Sequence, residues 1–532
     1  MIRINDIKVP LGADVNTIKK AAAKALGVSA DDFLSFSIAR ESIDSRRKNN
    51  IMMTYSVDVR LDGFEEEIAS KFEKNKVLYF EPQAFVLPEN KRNSKFSPVI
   101  VGLGPAGLFC GLMLARSGLN PIIIERGNDV DTRKNDIANF WKNRKLNTES
   151  NVQFGEGGAG TFSDGKLTTG IKDGRVGVVL QTFKDYGAPH EITFSAKPHI
   201  GTDKLGDVIK NIRNEIIRLG GTVKFGCKLV DIITANGFIQ AITYTDEKGS
   251  IHDLETDTLI LCIGHSPRDT IEMLYHKGIN MEKKAFSVGT RIEHPQEMIN
   301  EMQYGKNYNK ALLPPADYKL SNHPLHGRGG YTFCMCPGGT VVLASSEENM
   351  VVVNGMSEYA RDGENANSAI LVGIEPDMID ENSALAGIKL QREIEQKAFE
   401  HGGSDYTAPC QLVGDMLKNQ PSKKLGSVNP SCPTGTSPGD IRNVLPSFVV
   451  DGISDAIIAW DKKLRGFALN DAVLTFPESR SSSPVRIIRD EFFQTNIRGI
   501  FPCGEGAGYA GGIVSAGVDG IRAAEAVLRD ET

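Results

Sequence analysis

The 532-residue chain has no Cys-x-x-Cys pair, no block of like charge and only 2 tryptophans. Its 8 cysteines stand singly apart from Cys334 and Cys336, which argues against a disulfide framework or a zinc knuckle. No secretory leader is read at the start, so a reducing, cytoplasmic location is expected. With 61 basic against 67 acidic residues the net charge is −6, which excludes a protein built around bulk phosphate contacts; no DNA partner is expected. Long apolar runs are scarce too. Phe96–Ala115 has no charge, but 4 glycines and 2 prolines interrupt it, and Val99–Val101 reads as a short buried strand, so no membrane span is expected. What the chain does have is glycine, 54 residues of it, above the ~7% of ordinary proteins.

At about 150 residues per domain the length implies three or four units. Residues 1–95 read as a small unit of order βαββαβ. Val15–Leu26 has helical spacing and stops at Gly27, while Leu34, Phe36 and Ile38, and then Tyr55, Val57, Val59 and Leu61, alternate as strands. A helix is expected over Glu65–Lys74, and residues 82–98 read as a linker. Residues 96–285 carry continuous apolar strands (Val99–Val101, Pro121–Glu125, Thr222–Phe225, Phe238–Thr245, Thr258–Ile263) alternating with helices, which points to a parallel sheet covered on both faces. Residues 286–489 are mixed and without repeats. Residues 490–532 return to strand, glycine loop and helix.

Gly102-x-Gly104-x-x-Gly107 follows a strand, opens a helix over Ala106–Ser117, and is followed by an acid, Glu125, at the end of the next strand. Glycines here permit a tight turn and close backbone approach to a pyrophosphate; the helix N-terminus offers N–H groups, and the acid accepts from a ribose diol. The same pattern recurs at Gly155–Gly160 and Gly506–Gly511. The first lacks a good following helix. The second leaves only 21 residues, too few for another strand and acid. One dinucleotide site is expected.

VIVGLGPAGLFCGLMLARSGLNPIIIERG resembles the FAD-binding signature of flavoproteins with a glutathione-reductase-like FAD domain, and GIFPCGEGAGYAGGIVSAGVDGIRAAEAV resembles their second FAD motif. TLILCIGHSP resembles a third strand of that family but departs from its Ala-Thr-Gly ending, so only Gly264 carries over well. Together with GEGGAGTFSDGKL, CMCPGG and ESRSSSPVR, these segments are similar to the uncharacterised bacterial FAD-dependent dehydrogenases over nearly the whole chain. The resemblance implies an α/β fold: a Rossmann-like FAD-binding domain (96–285 and 490–532), an inserted α+β substrate domain (286–489) and a small N-terminal ferredoxin-like βαββαβ domain (1–95). It implies an FAD-dependent oxidoreductase passing a hydride through the flavin to or from a small-molecule substrate. NAD(P)H enters at most as a transient donor. The implied cofactor residues are Gly102, Gly104, Pro105, Ala106, Gly107, Glu125, Arg126, Gly158, Thr161, Ser163, Lys166, Leu229, Gly264, Gly504, Glu505, Gly512 and Ile513, with the Glu505 acid on the ribityl chain.

On the substrate side Arg291, His294, Glu478 and Arg480 are candidates, since arginine grips carboxylates bidentately; each reads equally as part of a structural ion pair. His265 follows the flavin-side strand. His323, His326, Cys334 and Cys336 fall close together, but Cys334 and Cys336 sit on one strand facing one side, so no metal is expected. A redox disulfide and a serine-hydrolase elbow are likewise not expected. The βαββαβ order and the run Ser45-Arg46-Arg47-Lys48 leave open an RNA-binding flavoprotein. A solvated hairpin turn suits that run better, because the aromatic signature of RNA-recognition modules is missing. A flavin carrier without turnover is the third reading. Oligomeric state and substrate stay open.

Overall fold

The computed structural model describes residues 1–324 and 328–530. At the N-terminus β1 (Ile2–Pro10), α1 (Val15–Leu26), β2 (Phe33–Asp44), β3 (Met52–Leu61), α2 (Glu65–Ser70) and β4 (Val77–Tyr79) follow the expected element order. Asp14 caps α1 by accepting from the Thr17 N–H. Ile18, Ala22, Ala23 and Leu26 face inward, and Gly27 ends the helix at φ 76°. The strands pair antiparallel throughout, in the order β2-β3-β1-β4. Helix α2 is shorter than expected: Ala69 is its one buried residue, so no apolar face carries it on to Lys74.

The next segment comprises β5 (Val99–Val101), α3 (Pro105–Arg116), β6 (Ile122–Ile124), α4 (Val130–Asn143), α5 (Arg175–Asp185), α6 (Thr202–Arg218), β7 (Thr222–Lys224), β8 (Lys228–Ala235), β9 (Phe238–Thr245), β10 (Ile251–Glu255), β11 (Leu259–Leu261) and α7 (Arg268–His276). Then come β12 (Met281–Lys283), β13 (Phe286–Pro295), α8 (Gln296–Tyr304), β14 (Gly330–Cys336), β15 (Thr340–Leu343), β16 (Val353–Met356), β17 (Asn365–Ile374), α9 (Ala386–Gly402), β18 (Ala408–Leu412) and α10 (Val413–Leu417). The chain closes with β19 (Thr436–Pro438), α11 (Ser447–Asp461), β20 (Val473–Glu478), β21 (Val485–Ile487), β22 (Ile500–Pro502) and α12 (Ile513–Arg529).

A parallel sheet of order β22-β11-β5-β6-β7 is the centre of the site-bearing half. Its strands are short and, apart from the edge strand β7, wholly apolar, and alternation sends their side chains to two cores. Ile100, Ile123, Ile260 and Phe501 pack with α3, α6 and α12. Val99, Val101, Ile124, Leu259 and Leu261 pack with residues of β8 and β9. The second cover is thus an antiparallel sheet, β10-β9-β8, and Phe238–Thr245 belongs to it rather than to the parallel sheet. That strand reads as apolar as the others because it is half of the lid over them. Helix α3 is buried from Ala106 to Ala115, and α12 lies hard against it because Gly520 has no side chain: a Cβ there would come 2.2 Å from the Ala106 carbonyl oxygen.

Residues 286–489 form a six-stranded sheet, β14-β17-β13-β20-β18-β19, backed by α8, α9 and α11 in one large core. The N-terminal unit touches both halves. The Glu41 N–H donates to the Phe194 carbonyl and the Ala196 N–H to the Glu41 carbonyl, while Leu11, Ile43 and Ile51 pack on the large core. The turn carrying Arg46, Arg47 and Lys48 joins β2 to β3 and is exposed, with Arg46 paired to Asp44. Phe96–Ala115 becomes β5 and most of α3, and among the described residues no helix is long and apolar enough to cross a membrane.

Candidate functional site

One cavity runs from the carboxyl ends of the parallel strands to the six-stranded sheet. Its first stretch is built by the turn after β5. Gly102 takes φ 97°, and a Cβ on Gly107 would sit 1.9 Å from the Gly102 carbonyl oxygen, so the turn closes only with glycine at both places. Gly102, Gly104, Pro105 and Ala106 line the cavity, and the α3 N-terminus has no side-chain cap. Gly107 lies behind the turn and packs it rather than facing the cavity. The 155–160 loop lies across this turn, with Gly155, Gly158, Ala159 and Gly160 lining.

Glu125 lines the same stretch, but its carboxylate is already committed. It accepts from the Leu103 N–H at 2.8 Å, the Gly127 N–H at 2.9 Å and the Gly155 N–H at 2.9 Å, tying both glycine loops together. Arg133, fully buried, reinforces the tie by donating to the carbonyls of Asn151, Val152, Glu156 and Gly158. Arg126 lines the cavity beside Leu229; it forks onto Asp269, reaches Glu149 and covers the Phe154 ring. Thr161 does not face the cavity: it is buried, donating to the Glu156 carbonyl. Ser163 does line it, with its hydroxyl turned back to the Gly160 carbonyl.

Further along, Gly264 after β11 and Gly511, Gly512, Ile513 and Ala516 at the α12 N-terminus form the wall, and α12 also has no side-chain cap. Gly504 stands behind, its N–H donating to Asp519, which Arg489 grips bidentately. Glu505 lines the cavity, and burial pushes its carboxyl up to about 7. His265 stands 3.7 Å from it and touches Ser266, which donates to Gln153.

The far wall comes from the six-stranded sheet and its neighbours: Phe333, Cys334, Cys336, Asn354, Glu478, Arg480 and Ser481. Two of the four substrate-side candidates do not reach it. Arg291 is fully buried behind the wall, bound to Glu478 at 2.7 Å, Asn367 at 2.8 Å and the Cys334 carbonyl at 2.6 Å. His294 lies in the core, its Nε2 at the Phe467 carbonyl and its ring against Phe467. On a strand buried along nearly its whole length, side chains of both faces are inside, so residue type alone could not separate pocket from core. Arg480 lines the cavity with its guanidinium forked onto buried Glu395, which Arg268 also grips. Lys166 belongs to this end of the cavity rather than to the glycine turn after β5, since it donates to Asp164 and to the Met335 carbonyl.

Cys334 and Cys336 both line the cavity, but not as an alternating pair. Cys334 takes φ 40° and the β14 ladder slips between Phe333 and Cys336. Among the described residues no group of His, Cys, Asp and Glu could hold a metal; His326 lies outside them. The expected lack of a Gly-x-Ser-x-Gly pattern was mistaken, because Gly435-Thr436-Ser437-Pro438-Gly439 matches it. Ser437 lies in the short strand β19, which runs parallel to β18, and not on a strand-to-helix turn.

Sequence reading missed Gln153, Ser266, Arg133, Glu395 and Asp519. The last two carry a signal: each is an acid at helical spacing among mostly apolar buried residues, with one further buried polar side chain on each helix, Gln391 and Glu525.

A domain family described as "FAD-dependent protein, C-terminal domain-like" matches residues 285–481, and a domain of unknown function matches residues 1–60. An uncharacterised protein of Clostridium beijerinckii is 47% identical over 99% of this chain and 98% of its own length. Among solved structures, a flavin-dependent brominase is similar at TM-score 0.38 with 13% identity, over 82% of this chain and 79% of that one. A geranylgeranyl bacteriochlorophyll reductase-like protein of Thermoplasma acidophilum is similar at TM-score 0.37 with 12% identity, over 81% and 78%. A flavoprotein/dehydrogenase of Cytophaga hutchinsonii is similar at TM-score 0.36 with 13% identity, over 82% and 78%.

Proposed function

The chain belongs to a family of uncharacterised FAD-dependent proteins, and on that premise we propose that it is an oxidoreductase moving a hydride between FAD and a small molecule held under the far wall. The single observation that carries this is the coincidence, in one cavity, of two uncapped helix N-termini with the glycine turn after β5. Gly511 and Gly512 have open space where a Cβ would stand, and Gly104 only an ordinary contact at 3.8 Å, so the backbone is bare toward the cavity at both helices. That cradle fits a dinucleotide flavin.

Gly102, Gly104, Pro105, Ala106 and Gly158 would hold the pyrophosphate, with the α3 dipole favouring its charge. Glu125 would keep the loops in register and take the ribose on its remaining acceptor capacity. Arg126 and Leu229 would flank the adenosine end. Gly264, Gly512 and Ile513 would surround the ring, where the α12 N-terminus favours negative charge, and Glu505 would hold the ribityl chain beside it. When bound, FAD supplies reversible two-electron chemistry. Phe333, Cys334, Asn354, Glu478 and Ser481 would shape the substrate end, and Lys166, with a third N–H beyond its two partners, would offer it a donor. NAD(P)H would reach the ring transiently through the same opening. On this reading the chain has three units, 1–95, 96–285 with 490–532, and 286–489, the last covering the cofactor.

Purified protein should show the two-band visible absorption of oxidised flavin, released as FAD on heating. It should bleach anaerobically with NADH, NADPH or one member of a metabolite panel. A colourless chain that takes up no FAD on reconstitution overturns the proposal.

A further inference from the structure

We infer that Glu505 and His265 form a proton-holding pair on the cavity wall, binding one proton when negative charge enters the ring end of the cavity and releasing it when that charge leaves. The inference rests on the flavin reading above and adds a role for these two side chains beyond contact with the cofactor.

Four polar side chains line one wall in sequence: Gln153, Ser266, His265 and Glu505. The Gln153 Nε2 donates to the Ala344 carbonyl at 3.3 Å, which orients the amide, and Ser266 Oγ donates to Gln153 Oε1 at 3.0 Å. A hydroxyl has one proton to give. The 2.9 Å contact between Ser266 and His265 Nδ1 is therefore donated by the ring. Burial, with Arg480 and Arg268 nearby, pushes His265 down to about 3, so the ring is neutral at ordinary pH. A neutral ring with Nδ1–H has a bare lone pair at Nε2, and that atom faces Glu505 Oε1 at 3.7 Å.

The surroundings decide which member titrates. Glu505 faces one full charge, Lys284, which does not overcome the effect of burial. Arg486 stands beside Lys284, and Arg480, Arg268 and Glu395 stand behind His265. Asp519 is spent on Arg489 and the Gly504 N–H. Glu505 is thus poised to change charge near neutrality, while His265 supplies a fixed acceptor. The 3.7 Å between Oε1 and Nε2 is longer than a hydrogen bond, and a small side-chain rotation that closes it would let an O–H on Glu505 donate to Nε2 and stabilise the protonated state. The proton comes from solvent and forms that O–H bond; the two electrons arrive with the hydride that a reduced nicotinamide or the small-molecule substrate gives to the cofactor, that donor is oxidised, and neither side chain is.

The test is the midpoint potential of the bound flavin against pH, whose slope counts protons per two electrons. At about pH 8, above the Glu505 titration, the native protein should bind nearly one proton more per two electrons than Glu505→Gln; at about pH 5.5 the two should agree. Glu505→Asp should restore most of the difference. Equal slopes at both pH values, in flavin-bearing proteins, overturn the inference and leave the functional reading standing. If Glu505→Gln does not retain flavin, the native protein decides alone. Its reduced-minus-oxidised infrared spectrum at about pH 8 should gain a protonated carboxyl band, and no such band overturns the inference. A chain that binds no flavin at all overturns both readings together.

Discussion

Glu125 and Gly104 both line the cavity and do opposite kinds of work. Glu125 is a hub for three buried N–H groups from two loops. Glu125→Gln would leave the Leu103 N–H facing an amide N–H, so the apoprotein should lose about 1–3 kcal/mol, read by urea unfolding without cofactor. Gly104 has φ −73° and only an ordinary contact at the Cβ position, so a Cβ there meets no clash in the protein itself. Gly104→Val should lose no more than about 1 kcal/mol of unfolding free energy, the order of an N-cap change, yet purify without flavin, which absorbance per chain will show. Glycine spacing and the acid after β6 were legible in the sequence. The hub role was not, because Leu103, Gly127 and Gly155 meet at Glu125 only after a loop has folded back across the turn.

At the scale of elements, α7, α9 and the segment after β20 are clamped by one buried carboxylate. Glu395 accepts from Arg268, Arg480 and Ser479. Burial alone would raise its titration, but the two guanidiniums outweigh burial and hold it below the usual carboxylate range. A carboxyl depressed on folding contributes stability that is complete above its unfolded value of about 4.3 and is lost as pH falls through the folded value. Glu395→Gln should therefore cost about 3–5 kcal/mol at neutral pH, and its stability should fall less steeply than the native protein's below about pH 4. Elements with one dominant period were legible, α1 and β9 to the residue. The partner of a strand was not, because apolar alternation is the same in a central strand and in the sheet that covers it.

For the whole molecule, the large core of the six-stranded sheet and the cores around the parallel sheet meet along a cavity, bridged by ion pairs and by the N-terminal unit. A ligand filling that seam stabilises the folded state by about 2.7 kcal/mol at a hundredfold excess over its Kd. Added FAD should raise the thermal midpoint of apoprotein, and adenosine diphosphate, which fills the adenosine and phosphate stretch but not the ring end, should raise it less. Equal shifts from both would place the binding energy outside the ring end. The order of the parallel sheet carries a further consequence, for synthesis. β5 ends at Val101, but the edge strand β22 begins at Ile500 and the helix that completes the cradle follows it. At about 5–20 residues per second, the ribosome needs roughly 20–80 s to travel from the first strand to the last. Through that interval the nascent chain has the glycine turn without α12, so on the flavin reading the cofactor can be gripped at both ends only once residues 500–529 have emerged and folded.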